Sequence, residues 1–234
     1  MILLGSILFN VIFYLSLIPV SIAIILLYSF VSTEKLQSFG VLWIKFVLKS
    51  LKILCGVTWV VEGEEHIPKD SCIVVSNHQG QWESFFLQTL FTPSTSIIKK
   101  ELLYIPFFGW ALKCMKPITL NRANKFSSLK KVINKGKLKL EEGLWVILFP
   151  EGTRVSPQEG IRPFANSCGV LANKSGKPIL PICHNSGKYW KNKSFLKRPG
   201  RVIVKIGAPI SDGSAKEITE KSYLWIKKTY EEIL

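Results

Sequence analysis

The sequence is poor in the residues that build metal centres and disulfide frameworks. Its three histidines, His66, His78 and His184, are scattered along the chain. Its five cysteines, Cys55, Cys72, Cys114, Cys168 and Cys183, are odd in number and form no CxxC pair. Zinc needs clustered Cys and His at short spacings, so no metal site is expected. The cysteines lie mostly in apolar surroundings and read as buried free thiols in a reducing compartment. There is no GxSxG elbow, which argues against a serine hydrolase. No repeat, low-complexity stretch or nucleic-acid motif is present, so nucleic acid is not expected as a partner. Residues 1–33 carry no charged side chain at all. They also lack the basic start of a signal peptide, and the apolar run is too long for one.

What is present is apolar and basic. The 234 residues are 47% hydrophobic, with mean hydropathy +0.24 and net charge +15. That length supports one domain with a real core. Lys and Arg are drawn to anionic headgroups at roughly 1 kcal/mol each, so a membrane surface fits better than a nucleic acid. As one helix, residues 1–33 would be about 50 Å long against a ~30 Å hydrocarbon core. Pro19 is expected to kink or break it. A tilted spanning helix and a re-entrant or interfacial hairpin are both open readings. From Phe39 to Cys55, Lys45, Lys49 and Lys52 share one helical face. This reads as a basic amphipathic helix at a lipid interface, although a core-packed helix with solvated lysines has the same pattern. The basic flank predicts that the rest of the chain faces the cytoplasm.

From Val57 onward, strand and helix patterns alternate. Strands are predicted at 57–62, 72–76, 95–98, 117–120, 144–149, 178–183 and 201–206. Helices are predicted at 82–90, 109–114, 125–142, 164–175 and 214–233. The fold class is therefore α/β, a mixed sheet flanked by helices, preceded by an apolar and amphipathic membrane-binding helical segment. The division is 1–56 for the membrane-anchoring segment and 57–234 for the α/β domain. A basic, aromatic loop at 188–198 carries Tyr189, Trp190 and Phe195.

Two segments carry the chemistry. In Asn77-His78-Gln79-Gly80-Gln81-Trp82-Glu83, a histidine precedes a carboxylate by five. On a continuous helix they would not share a face. They meet only if His78 lies on a strand-to-helix loop, which Gly80 allows to bend, and Glu83 opens the helix. The carboxylate would then fix the tautomer and present the other nitrogen as a general base. A structural histidine would make the same pair. In Phe149-Pro150-Glu151-Gly152-Thr153-Arg154, a buried strand ends in a loop, where open α/β sheets bind ligands. Gly152 lets the backbone approach an anion, Thr153 adds a donor, and Arg154 offers a bidentate fork for phosphate. Glu151 is expected to hold Arg154 or to accept a substrate hydroxyl. Lys99, ending one strand, and Arg122, following another, are further cations for that anion.

These residues resemble the glycerophospholipid acyltransferases of the 1-acyl-sn-glycerol-3-phosphate acyltransferase type, over about 57–210. Four blocks occur in family order. Asn77-His78 through Glu83 is similar to the family's NHxxxxD block, with Glu where Asp is commoner. Lys99 to Leu102, then Gly109-Trp110 through Ile118 to Arg122, resembles the block ending in arginine. Phe149–Arg154 is the FPEGTR block in full, and Leu180-Pro181-Ile182 resembles a short V-P-[VIL] block. The resemblance implies acyl transfer from acyl-CoA or acyl-carrier protein to the sn-2 hydroxyl of lysophosphatidic acid, giving phosphatidic acid. Other lysophospholipids, glycerol 3-phosphate or lipid A precursors are alternative acceptors. It further implies His78 and Glu83 as catalytic residues. Lys99, Arg122, Glu151, Gly152, Thr153 and Arg154 would form the phosphate site. No cofactor, metal or acyl-enzyme is implied.

Overall fold

A computed structural model describes residues 2–120 and 125–234, and of residues 125–128 the backbone alone. Two helices lead: α1 (Ile2–Leu27) and α2 (Thr33–Cys55). Strands β1 (Val57–Glu62), β2 (Ile73–Ser76), β3 (Ser94–Lys99), β4 (Ile118–Leu120), β5 (Trp145–Leu148), β6 (Ile179–His184) and β7 (Gly200–Ile206) follow. They alternate with helices α3 (Trp82–Leu90), α4 (Phe108–Cys114), α5 (Lys125–Glu141), α6 (Ser167–Ser175) and α7 (Ala215–Ile233). The sheet has the order β1-β7-β6-β2-β5-β3-β4. Its pairs are parallel except β6–β7, so it is mixed, as expected.

Strand periodicity separates two cores. In β2, Val74 packs with α2 and α3 residues such as Leu48, Leu51, Trp82 and Phe86. Its neighbours Ile73 and Val75 face the opposite side, among Val132 of α5, Leu171 of α6 and Ile226 of α7. All four β2 residues are buried, which is why the run is continuously apolar up to Ser76. Helix ends follow local chemistry. Ser32 caps α2 by accepting from Lys35 N, and Gly56 ends it at φ +68°. Ser214 and Glu217 form a reciprocal capping box on α7.

Residues 2–27 form one helix, and the hairpin is made with α2. The expected break at Pro19 does not occur. Proline removes one hydrogen bond, and α1 packs on α2 on both sides of it. Before it, Trp43 Nε1 donates to Ser16 Oγ at 3.0 Å and the Phe13 and Trp43 rings lie 5.7 Å apart. Beyond it, Ile24 packs with Leu36. Helix α1 is long and apolar enough to cross a membrane, and 11% of its most apolar window is buried. So little burial sets it apart from a soluble core helix. On α2, Lys45, Lys49 and Lys52 are exposed beside exposed Leu42, Phe46 and Ile53, while Val47, Leu48 and Leu51 are buried.

The 188–198 loop is clasped to α1. Lys197 N donates to Ser6 Oγ at 2.9 Å, and Asn10 Nδ2 donates to Phe195 O at 3.1 Å. The buried Lys197 ammonium lies 5.3 Å from the Trp190 ring centroid and 5.7 Å from that of Phe9.

Candidate active site

Strands β2 and β5 are adjacent and parallel, so residues 77–81 and 149–155 leave the same edge of the sheet. His78 sits on the first loop and Glu83 in the first turn of α3. They meet as the spacing predicts, with His78 Nδ1 and Glu83 Oε1 2.8 Å apart. A carboxylate only accepts, so Nδ1 carries the proton, and in the neutral ring Nε2 is left with its lone pair. The ring stacks on Phe149, with centroids 4.1 Å apart and planes 17° from parallel.

Glu83 is buried, and its charge is met from four directions. Oε1 also accepts from Gln79 N at 2.8 Å and Gly80 N at 2.6 Å, and Oε2 accepts from Ser186 Oγ at 2.9 Å. Burial opposes the charge, but the hydrogen bond from His78, aided by the electrostatic pull of the His184 and His78 imidazoles and by the Gly80 N–H, outweighs it and holds the carboxyl well below the usual range. Gly80 is needed for close approach rather than for the bend. A Cβ there would lie 2.6 Å from Trp190 O.

Glu151 does not take the first of its two expected roles. It holds His78 rather than Arg154: Oε1 accepts from His78 N at 2.8 Å and Oε2 from Arg162 N at 3.2 Å. Gly152 has φ +68° with open space where a Cβ would sit, so backbone conformation selects glycine. Its N–H closes a turn on Phe149 O at 3.0 Å. Thr153 is half-buried beside it. Arg154 donates from Nη1 to Asn192 Oδ1 at 3.2 Å, while its buried Nε has no hydrogen-bond partner among the described residues. Burial pushes its pKa down, against the pull of the Glu83 charge. Lys99 ends β3, next to β5, and is exposed at the same edge. Arg122 lies outside the described residues.

Burial pushes the Glu151 carboxyl up to about 7, against its two backbone donors. The native protein then holds a proton that the unfolded chain gives up near 4.5. Stability contributed by this group is therefore present below that pH and is lost as pH rises through about 7. Glu151→Gln should flatten this part of the profile. Thermal unfolding in detergent between about pH 5 and 8 reads the change, and an unaltered slope would remove the assignment.

Sequence reasoning passed over a third segment, His184-Asn185-Ser186-Gly187, at the end of β6. Besides the Ser186 contact, Gly187 N donates to Gln79 Oε1 at 3.0 Å and Asn77 Nδ2 to His184 O at 2.9 Å. The signal was three polar residues, His184 to Ser186, directly after the apolar run 178–183, at the edge where ligands bind.

The acyltransferase family profile matches residues 58–185. The 1-acyl-sn-glycerol-3-phosphate acyltransferase of Pseudomonas aeruginosa is 38% identical over 196 residues, covering 82% of this chain and 76% of that protein. The enzyme of the same name from Saccharomyces cerevisiae is 33% identical over 167 residues, 69% of this chain and 54% of its own length. The crystal structure of the 1-acyl-sn-glycerophosphate (LPA) acyltransferase PlsC from Thermotoga maritima superposes with a TM-score of 0.79 at 26% identity, covering 97% of this chain and 94% of that one. With a histidine held by a carboxylate beside an FPEGTR loop, and with relatives of this identity and extent, the chain belongs to the 1-acyl-sn-glycerol-3-phosphate acyltransferase family and is an acyltransferase.

Proposed function

We propose that the protein transfers a fatty acyl group from acyl-CoA or acyl-carrier protein to the sn-2 hydroxyl of lysophosphatidic acid, forming phosphatidic acid. The observation that carries this reading is the 2.8 Å His78–Glu83 contact on the same sheet edge as the loop bearing Arg154. His78 Nε2 takes the hydroxyl proton as the oxygen attacks the thioester carbonyl. The tetrahedral adduct collapses, the C–S bond breaks, and the proton passes from His78 to the departing sulfur. Glu83 keeps the ring oriented and balances the imidazolium charge. Arg154, Lys99 and Arg122 hold the acceptor phosphate, with Gly152 and Thr153 shaping the loop and Glu151 fixing the His78 backbone. No cofactor is required.

In this reading residues 1–56 anchor the enzyme and 57–234 do the chemistry, on the cytoplasmic side. The lipid-poor alternative, a soluble substrate, leaves the exposed apolar side chains of α1 and the exposed lysines of α2 without a purpose. Lysophosphatidic acid and its product both reside in the bilayer.

The test is phosphatidic acid formation from lysophosphatidic acid and each thioester in mixed micelles. Arg154→Ala should raise the acceptor KM roughly 10–100-fold, the loss of a charge-assisted hydrogen bond, and leave the donor KM unchanged. Folded wild type that makes no phosphatidic acid from either donor, yet acylates another lysophospholipid or a lipid A precursor, would reassign the acceptor.

A further inference from the structure

We propose that His184 is a positioning residue for His78, acting through the peptide that joins Asn77 to His78. This rests on the reading of His78 as the base. The two peptide units flanking His78 are each held at both ends. In the first, the Asn77 carbonyl accepts from His184 Nε2 at 2.9 Å, and the His78 N–H donates to Glu151 Oε1 at 2.8 Å. In the second, the His78 carbonyl accepts from Val155 N at 2.8 Å, and the Gln79 N–H donates to Glu83 Oε1 at 2.8 Å. Two planes pinned at four points fix φ and ψ of His78, and with them where its Cβ aims the ring.

His184 supplies one of those four pins and is itself locked. Its backbone N–H donates to Asn77 Oδ1 at 3.1 Å, and its carbonyl accepts from Asn77 Nδ2 at 2.9 Å. Its Nδ1 accepts from Ser186 N at 3.3 Å, so the proton lies on Nε2, facing the Asn77 carbonyl. The side chain is fully enclosed, and burial pushes its pKa down, which keeps the ring neutral and both bonds in place. A phenylalanine would fill the space and supply neither bond. A glutamine would restore a donor to the Asn77 carbonyl.

The experiment compares His184→Phe, His184→Gln and Asn77→Ala with wild type in steady-state assays over both substrates. His184→Phe should lose roughly 10–100-fold in kcat, with both KM values within about twofold. His184→Gln should recover most of that loss. Asn77→Ala, which leaves His184 in place but cuts two arms of the clasp, should show a kcat loss of the same kind. Unchanged kcat in folded His184→Phe overturns the proposal, as does a loss confined to KM or an equal loss in the Gln variant. If His184→Phe does not fold, wild-type kcat in both His184→Gln and Asn77→Ala supports nothing but rotation-tolerant packing and overturns it too. His78→Ala run alongside separates the two layers: if that variant keeps full activity, the base assignment fails, whatever His184 does.

Discussion

His78→Ala is expected to lower kcat roughly 10²–10⁴-fold while leaving both KM values nearly unchanged. The imidazole side chain is 16% exposed, and its ring contacts are Phe149 and Glu83. The hydrogen bonds that position the loop come from the His78 backbone and survive the substitution. The variant should therefore fold, and its loss should be chemical. Initial rates in mixed micelles, with thermal unfolding as a control, decide it. A folded variant within about threefold of wild type would remove His78 as the base.

The second large effect is expected from Glu83→Gln. The carboxylate accepts from four donors: His78, Gln79, Gly80 and Ser186. An amide keeps the shape but loses the charge: its oxygen can stay with His78, Gln79 and Gly80 while its NH2 donates to the Ser186 hydroxyl, which can accept. The imidazolium formed during proton transfer then has no counter-charge. A kcat loss of roughly 10²–10⁴-fold should follow, with stability lowered by about 1–3 kcal/mol. Because the two residues act as one unit, the His78→Ala/Glu83→Gln double variant should be scarcely slower than His78→Ala alone. Additive losses would mean that Glu83 serves something other than His78.

Much of this architecture was legible because it is local. The strand over 57–62 and the helix over 82–90 have the predicted bounds, since alternation and helical spacing are complete within each segment. The meeting of His78 and Glu83 was legible for the same reason: only a loop followed by a helix start lets residues five apart touch. The pairing of β1 with β7 was not, because Val57 and Gly200 find each other across the whole domain. His184 was missed for that reason as well. It lies 107 residues from Asn77, and nothing in its own neighbourhood names its partner. Glu151 was legible as a site residue but not in its role, because its oxygens go to backbone N–H groups, which every residue other than proline carries.

The clasp between α1 and the 188–198 loop makes α1 more than an appendage of the α/β domain. Phe9 of α1 sits in the same buried cluster as Trp82 and Phe86 of α3, and the Phe9 and Trp190 rings meet edge to face at 5.2 Å. Trp190 in turn presses its carbonyl against Gly80, two residues from His78. The chain of contact from α1 to the His78 loop is thus Phe9, Trp190, Gly80. A tether can be cut and leave its load intact; a keystone cannot. By this measure α1 belongs to the masonry of the His78 loop, and a chain shortened to residues 57–234 would lose one of the walls against which His78 is set.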